Sequence, residues 1–202
     1  MTRGKRSDHY TRKARAEGRP ARSVYKLEEI ERRFRMLRPG ARVLDCGCAP
    51  GSWTQFAAER VGPSGHVLGL DLKPITIPLP AWADARVGDV FEIDAAELGR
   101  FDVVLSDMAP STSGDHRTDA LRSAGLAEKT LELGQAVLGS GGATVIKVLE
   151  GAEVPFLVDS MQKLFKRVSR VRPDATRKRS REIFLVGVGL RRSSERGPAL
   201  RS

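Results

Sequence analysis

No apolar run in the 202 residues approaches the ~20 needed to cross a bilayer, so a membrane-spanning helix is excluded. The first twenty residues, MTRGKRSDHYTRKARAEGRP, have no apolar core and carry Asp8 and Glu17. That argues against a secretory signal, and a cytoplasmic protein is expected. Cysteine is scarce. Cys46 and Cys48 are too close together for an ordinary disulfide framework and too few for a zinc site, and read as small buried hydrophobes. The three histidines, His9, His66 and His116, have no ligand spacing, so no metal is expected. No internal repeat and no second domain are visible, and the length is that of one domain with a single core. With 40% apolar and 30% charged residues, wholesale disorder is also excluded.

What is present is charge, unevenly placed. The formal net charge is +10. Residues 1–42 hold 14 basic and 5 acidic side chains, residues 43–162 hold 8 and 17, and residues 163–202 hold 13 and 3. The surplus therefore lies wholly in the two ends, around an acidic middle. If both ends fold onto one face they form a phosphate-binding surface, with the middle holding a site for something other than nucleic acid.

Residues 1–22 read as a basic flexible arm without periodicity, 23–190 as one domain and 191–202 as a polar tail. From Ser23, the residues Val24, Leu27, Ile30, Phe34 and Leu37 recur at helical spacing until Pro39-Gly40. Short apolar runs predict buried strands at 42–46, 66–72, 101–106, 142–149 and 183–190, with helices at 53–61, 118–138 and 155–165 between several of them. Strands alternating with helices predict an α/β domain with a mostly parallel sheet. Ligands of such sheets bind at the carboxyl ends of the strands, so the residues just after each strand carry the information.

The first strand runs into Asp45-Cys-Gly-Cys-Ala-Pro-Gly-Ser-Trp53, and the second ends at Asp71, where an acid can accept hydrogen bonds from two ribose hydroxyls. A nicotinamide dinucleotide site would want Gly-x-Gly-x-x-Gly against a pyrophosphate. Here Gly47 and Gly51 stand in a Gly-x-Ala-Pro-Gly loop that opens with an acid. That suits a cofactor with an ammonium group and no phosphate, such as S-adenosylmethionine.

With this string, Asp71, Gly88-Asp89 and Asp107, the chain resembles the FtsJ/RrmJ-type ribose 2′-O-methyltransferases from about Ser7 to Leu190, and among them the branch acting on uridine of large-subunit ribosomal RNA. The resemblance implies a Rossmann-like S-adenosylmethionine-dependent methyltransferase fold, a seven-stranded mostly parallel sheet with helices on both faces. It implies that Gly51 and Trp53 line the cofactor loop, Asp71 holds the ribose, Asp89 lies by the adenine and Asp107 near the methionine portion. It also implies a catalytic set of Lys26, Asp107, Lys147 and Glu182.

Lys147 is conspicuous without any family, because it lies inside an apolar strand where an ammonium is costly unless paired or deprotonated. A ribose hydroxyl is a weak nucleophile, and a neutral lysine amine can take its proton. Lys147 is therefore assigned as general base, with Asp107 and Glu182 positioning its amine and Lys26 holding the target ribose or its phosphate. Glu182 directly follows Arg177-Lys178-Arg179-Ser180-Arg181, and Lys26 lies on the basic N-terminal helix beyond Arg22. If both meet in the site, both basic segments wall it, and Arg22, Arg177, Lys178, Arg179 and Arg181 are expected to contact RNA. Tyr25 is a candidate to stack on a base; Phe34 fits the apolar stripe.

The expected activity is 2′-O-methylation of a uridine ribose in 23S-type ribosomal RNA, by a monomer, on an assembled or nearly assembled large subunit. Transfer RNA is the competing substrate. A non-catalytic RNA-binding or ribosome-assembly factor is the competing class, and it has no need for a lysine buried in a strand.

Overall fold

The computed structural model describes residues 9–177 and 179–191. Seven strands form one sheet: β1 Arg42–Cys46, β2 His66–Asp71, β3 Ala83–Val87, β4 Phe101–Ser106, β5 Leu138–Leu149, β6 Phe165–Val171 and β7 Glu182–Leu190. Their spatial order is β3-β2-β1-β4-β5-β7-β6. All pairings are parallel except those of β7, which runs antiparallel to both β5 and β6. The helices are α1 His9–Ala16, α2 Val24–Phe34, α3 Ser52–Val61, α4 His116–Val137 and α5 Val154–Leu164.

The central strands form where apolar residues are continuous, as in Val103-Val104-Leu105, because both faces of the sheet are covered. One core packs α2 and α3 on one face through Leu27, Ile30, Trp53, Ala57 and Phe184. The other packs α4 and α5 on the opposite face through Ala127, Leu131, Leu157, Met161 and Leu185. Helix α2 stops earlier than Pro39-Gly40 predicts. Arg35 turns left-handed at φ +52°, and the buried Glu31 carboxylate accepts the Met36 and Leu37 amides that follow.

Four further elements differ from the sequence reading. Within the predicted arm, residues 9–16 form α1, held by burial of Ala14 and by Tyr10 against Tyr25 with ring centroids 5.6 Å apart; residues 1–8 lie outside the described chain. Strands β3 and β6 carry no apolar run, because both are sheet edges with most of their side chains toward solvent. Strand β5 begins four residues earlier than predicted, at the end of α4.

Strand order reverses between β1 and β4, so the crevice lies at the carboxyl ends of these strands. Because β7 is antiparallel, its first residue, Glu182, reaches that same edge, opposite Leu149 of β5.

Candidate active site

The loops after β1, β2, β3 and β4 enclose a cavity of about 350 Å3, lined among others by Gly47, Ala49, Leu70, Asp71, Leu72, Asp89, Phe91, Asp107 and Met108. Three carboxylates face it, and none of its lining residues is basic. Gly47 sits at φ +78°, and a Cβ there would fall 2.5 Å from Met108 Cγ, so only glycine fits between the β1 and β4 loops. Asp71 is fixed in place by the Ala49 and Lys73 amides, each donating to one of its oxygens at 2.9 Å. A carboxylate has about four acceptor sites, so lone pairs remain for hydroxyl donors. Asp89 Oδ1 accepts the Phe91 amide at 2.9 Å.

The structure places three of the predicted cofactor residues away from the cavity wall. Asp45 is fully buried and accepts the Thr54 hydroxyl at 2.7 Å, while its Oδ1 has no partner. Burial pushes its carboxyl up to about 7; the Thr54 hydroxyl opposes this, and Asp107 and Asp71 reinforce it. Gly51, at φ +112°, packs against Ile75 and Ile77. Trp53 turns inward, with its ring 5.8 Å from that of Phe184 and its indole N–H donating to the Ser23 carbonyl at 3.0 Å. It thereby ties α3 to the start of α2, three residues before Lys26. Cys46 and Cys48 are buried free thiols, raised by burial and then by Asp45. The apolar lining by Leu72, Phe91 and Met108 was missed by sequence reasoning; its one signal was a large apolar residue directly after each of the acids 71 and 107, and two after 89.

The four residues of the expected catalytic set form two ion pairs. Lys147 Nζ lies 3.0 Å from Asp107 Oδ1 and also donates to the Asp107 carbonyl. Lys26 Nζ donates to Glu182 Oε2 at 2.5 Å. Both lysines are buried. Burial alone would raise the Glu182 carboxyl, but the Lys26 ammonium, its hydrogen bond and the Lys147 ammonium outweigh this and hold it below the usual range. Asp107 thus belongs to both the acidic cavity and the lysine pair.

Beside Lys26 and Glu182 opens a groove of about 420 Å3, lined also by Arg22, Arg177, Arg179 and Ser180. The two basic ends of the chain meet there. Arg22 braces the groove by donating to the Ala175 carbonyl at 2.7 Å. Lys178 lies outside the described residues. Arg181 does not line the groove. Its guanidinium donates to the Glu150 and His116 carbonyls, so it clamps the starts of β7 and α4 to the end of β5. Tyr25 is also not a stacking surface: it is buried, and its hydroxyl donates to Glu17 at 2.7 Å.

An antiparallel seventh strand in an otherwise parallel sheet, with an acidic cavity at the switch point, is an arrangement that fits a methyltransferase. The model of the FtsJ-like methyltransferase family matches residues 20–190, and the chain belongs to that family. It is 50% identical over 184 residues, 89% of each chain, to ribosomal RNA large subunit methyltransferase E of Desulfatibacillum aliphaticivorans. It is 45% identical over 201 residues, 97% of each chain, to the protein of the same name from Desulfosudis oleivorans. A ribosomal RNA methyltransferase structure from Plasmodium falciparum superposes with a TM-score of 0.74 at 25% identity, covering 84% of this chain and 97% of that one.

Proposed function

We propose that the enzyme transfers a methyl group from S-adenosylmethionine to the ribose 2′-oxygen of a uridine in large-subunit ribosomal RNA, acting as a cytoplasmic monomer on an assembled or nearly assembled subunit. The observation that carries this reading is Asp107, which faces the acidic cavity and is ion-paired to Lys147. A site for a cationic donor and a base for an acceptor hydroxyl therefore share one residue, next to a groove suited to phosphate.

The residues present fit the donor. Three carboxylates and no basic side chain line the cavity, which favours a sulfonium and an ammonium and disfavours a pyrophosphate. Asp71 offers acceptors for ribose hydroxyls, and Leu72 and Phe91 offer apolar surface for a base. When bound, S-adenosylmethionine supplies a methyl group on a positively charged sulfur, an electrophile that needs in-line attack.

The chain's own residues do the rest. Lys147 Nζ takes the 2′-hydroxyl proton after giving up its own extra proton to solvent, and its two contacts to Asp107 fix where that nitrogen sits. Lys26, held by Glu182, faces the groove and binds the ribose or its phosphate. Arg22, Arg177 and Arg179 hold the flanking backbone. Holding both reactants in near-attack geometry removes a large entropic barrier.

Single-turnover rates on undermethylated large subunits, protein-free ribosomal RNA and transfer RNA test the reading. Fastest methylation of the subunits is expected, with the product mapped as a ribose-methylated uridine by mass spectrometry. Faster modification of transfer RNA would overturn the substrate, and no modification of any of the three would overturn the activity.

A further inference from the structure

Away from the groove, basic side chains gather on a second surface. The last turn of α2 and the residue after it carry exposed Arg32, Arg33 and Arg35; on the edge strand β6, exposed Arg167 lies on the α2 side of the sheet, while exposed Lys166 and Arg170 alternate to the other side of the strand. Arg33 and Arg167 converge on one ring from two elements: their guanidinium carbons lie 5.1 and 5.4 Å from the centroid of Phe34. Among the described residues, only Arg170 of these six has a carboxylate within ion-pair distance, Glu150 at 3.0 Å. The one acid of that helix turn, Glu31, points inward to the Met36 and Leu37 amides. Two guanidinium groups on one half-buried ring, with no carboxylate of the described residues within ion-pair distance of either, concentrate positive charge that a phosphate would neutralise.

This surface is continuous with the groove. Arg172, directly after β6, donates to the carbonyl of Ser180, a groove-lining residue, at 2.5 Å. The seven residues of β6 extend roughly 23 Å along the sheet edge, at about 3.3 Å per residue. That length spans several phosphates of a folded RNA.

We infer that the β6 edge and the end of α2 form a second phosphate-contacting track, which holds the sugar–phosphate backbone of an RNA segment flanking the target nucleotide. The inference rests on the RNA reading above. Charged edge strands also serve to block strand pairing between copies, but that role accounts for β6 alone, not for the α2 guanidinium converging on the same ring.

The test compares the full chain with the double variant Arg33→Gln/Arg167→Gln, and with Arg33→Lys/Arg167→Lys as a charge-preserving control. Binding to a structured ribosomal RNA fragment and to a short single-stranded oligonucleotide is followed against salt. On the structured fragment the glutamine variant should lose about 1.4–1.8 from the log–log slope, two contacts at 0.7–0.9 each. The lysine variant should keep the wild-type slope, and binding to the oligonucleotide should not change. An unchanged slope in the glutamine variant overturns the track, and self-association of that variant in sedimentation alongside it would assign the charges to edge protection. If the wild type shows no salt-dependent binding to either RNA, the RNA reading falls and this surface with it.

Discussion

The donor cavity and the basic groove open on the same edge of the sheet and are built in opposite ways. The cavity comes from four loops after consecutive parallel strands, and its charges are Asp71, Asp89 and Asp107. The groove comes from the two ends of the chain, and its charges are Arg22, Lys26, Arg177 and Arg179, with Glu182 among them. One side suits a small cation held in an enclosed space, the other a polyanion held along a surface. The difference predicts different sensitivities. Hydrogen bonds in the cavity are partly shielded from solvent, so donor binding should vary little with salt, whereas the exposed groove should respond steeply. The two buried ion pairs lie where these regions meet.

The comparison breaks most visibly at its seam. Lys147→Ala should reduce single-turnover methyl transfer by about 10²–10⁴-fold while both donor and RNA affinities persist. A fall of less than tenfold would mean that positioning, not proton transfer, carries the reaction. On the acidic side alone, Asp71→Ala should weaken S-adenosylmethionine about 10–100-fold in calorimetry, as hydrogen bonds to a charged acceptor are worth about 1.5–3 kcal/mol. RNA affinity should be untouched, and tighter binding of NADH than of S-adenosylmethionine would reverse the assignment of the cavity.

On the basic side alone, Arg177→Glu/Arg179→Glu should leave donor affinity unchanged and lower the salt slope of RNA binding by about 1.4–1.8. Arg181 separates charge from structure. Arg181→Lys keeps the charge but not the two-carbonyl clamp, so the transfer rate should fall severalfold with the salt slope intact. A changed slope with an unchanged rate would return Arg181 to the phosphate contacts.

A further effect concerns pH and reaches stability rather than either ligand. Asp45 ionises at about 7 in the fold, well above its unfolded value near 3.8. Between those values the unfolded chain binds fewer protons than the native one, so stability falls as pH rises. Asp45→Asn removes that term. Its thermal midpoint should match wild type near pH 4, gain on the order of 10 °C on it by pH 7 and hold the gain above. Parallel melting curves at all pH values would show that Asp45 does not titrate in this range.

The legible part of the site was the part that follows strands directly. Asp71 ends β2 and Asp107 follows β4, so recognising the strand located the acid. Residues within the β1–α3 string were less legible, because a turn followed by a helix sends neighbours in different directions: Gly47 faces the cavity, while Trp53 enters the core. The place of Arg181 was hard to read for a related reason. It continues a run of basic residues, yet adjacent side chains of an extended segment point to opposite faces. With Glu182 toward Lys26, Arg181 turns to the carbonyls behind.

The sequence by itself determined the central strands, the acids at their ends and the sorting of charge into two basic ends around an acidic middle. These are local properties, readable from apolar runs and composition. Only the tertiary structure decided that the basic ends share one groove, that β3 and β6 exist, and that Lys26 meets Glu182 across 156 positions. Edge strands lack the apolar signal because one side of each is solvated. The lysine–glutamate pair depends on β7 running antiparallel between β5 and β6, a pairing set by register and long-range packing rather than by the propensity of any single segment.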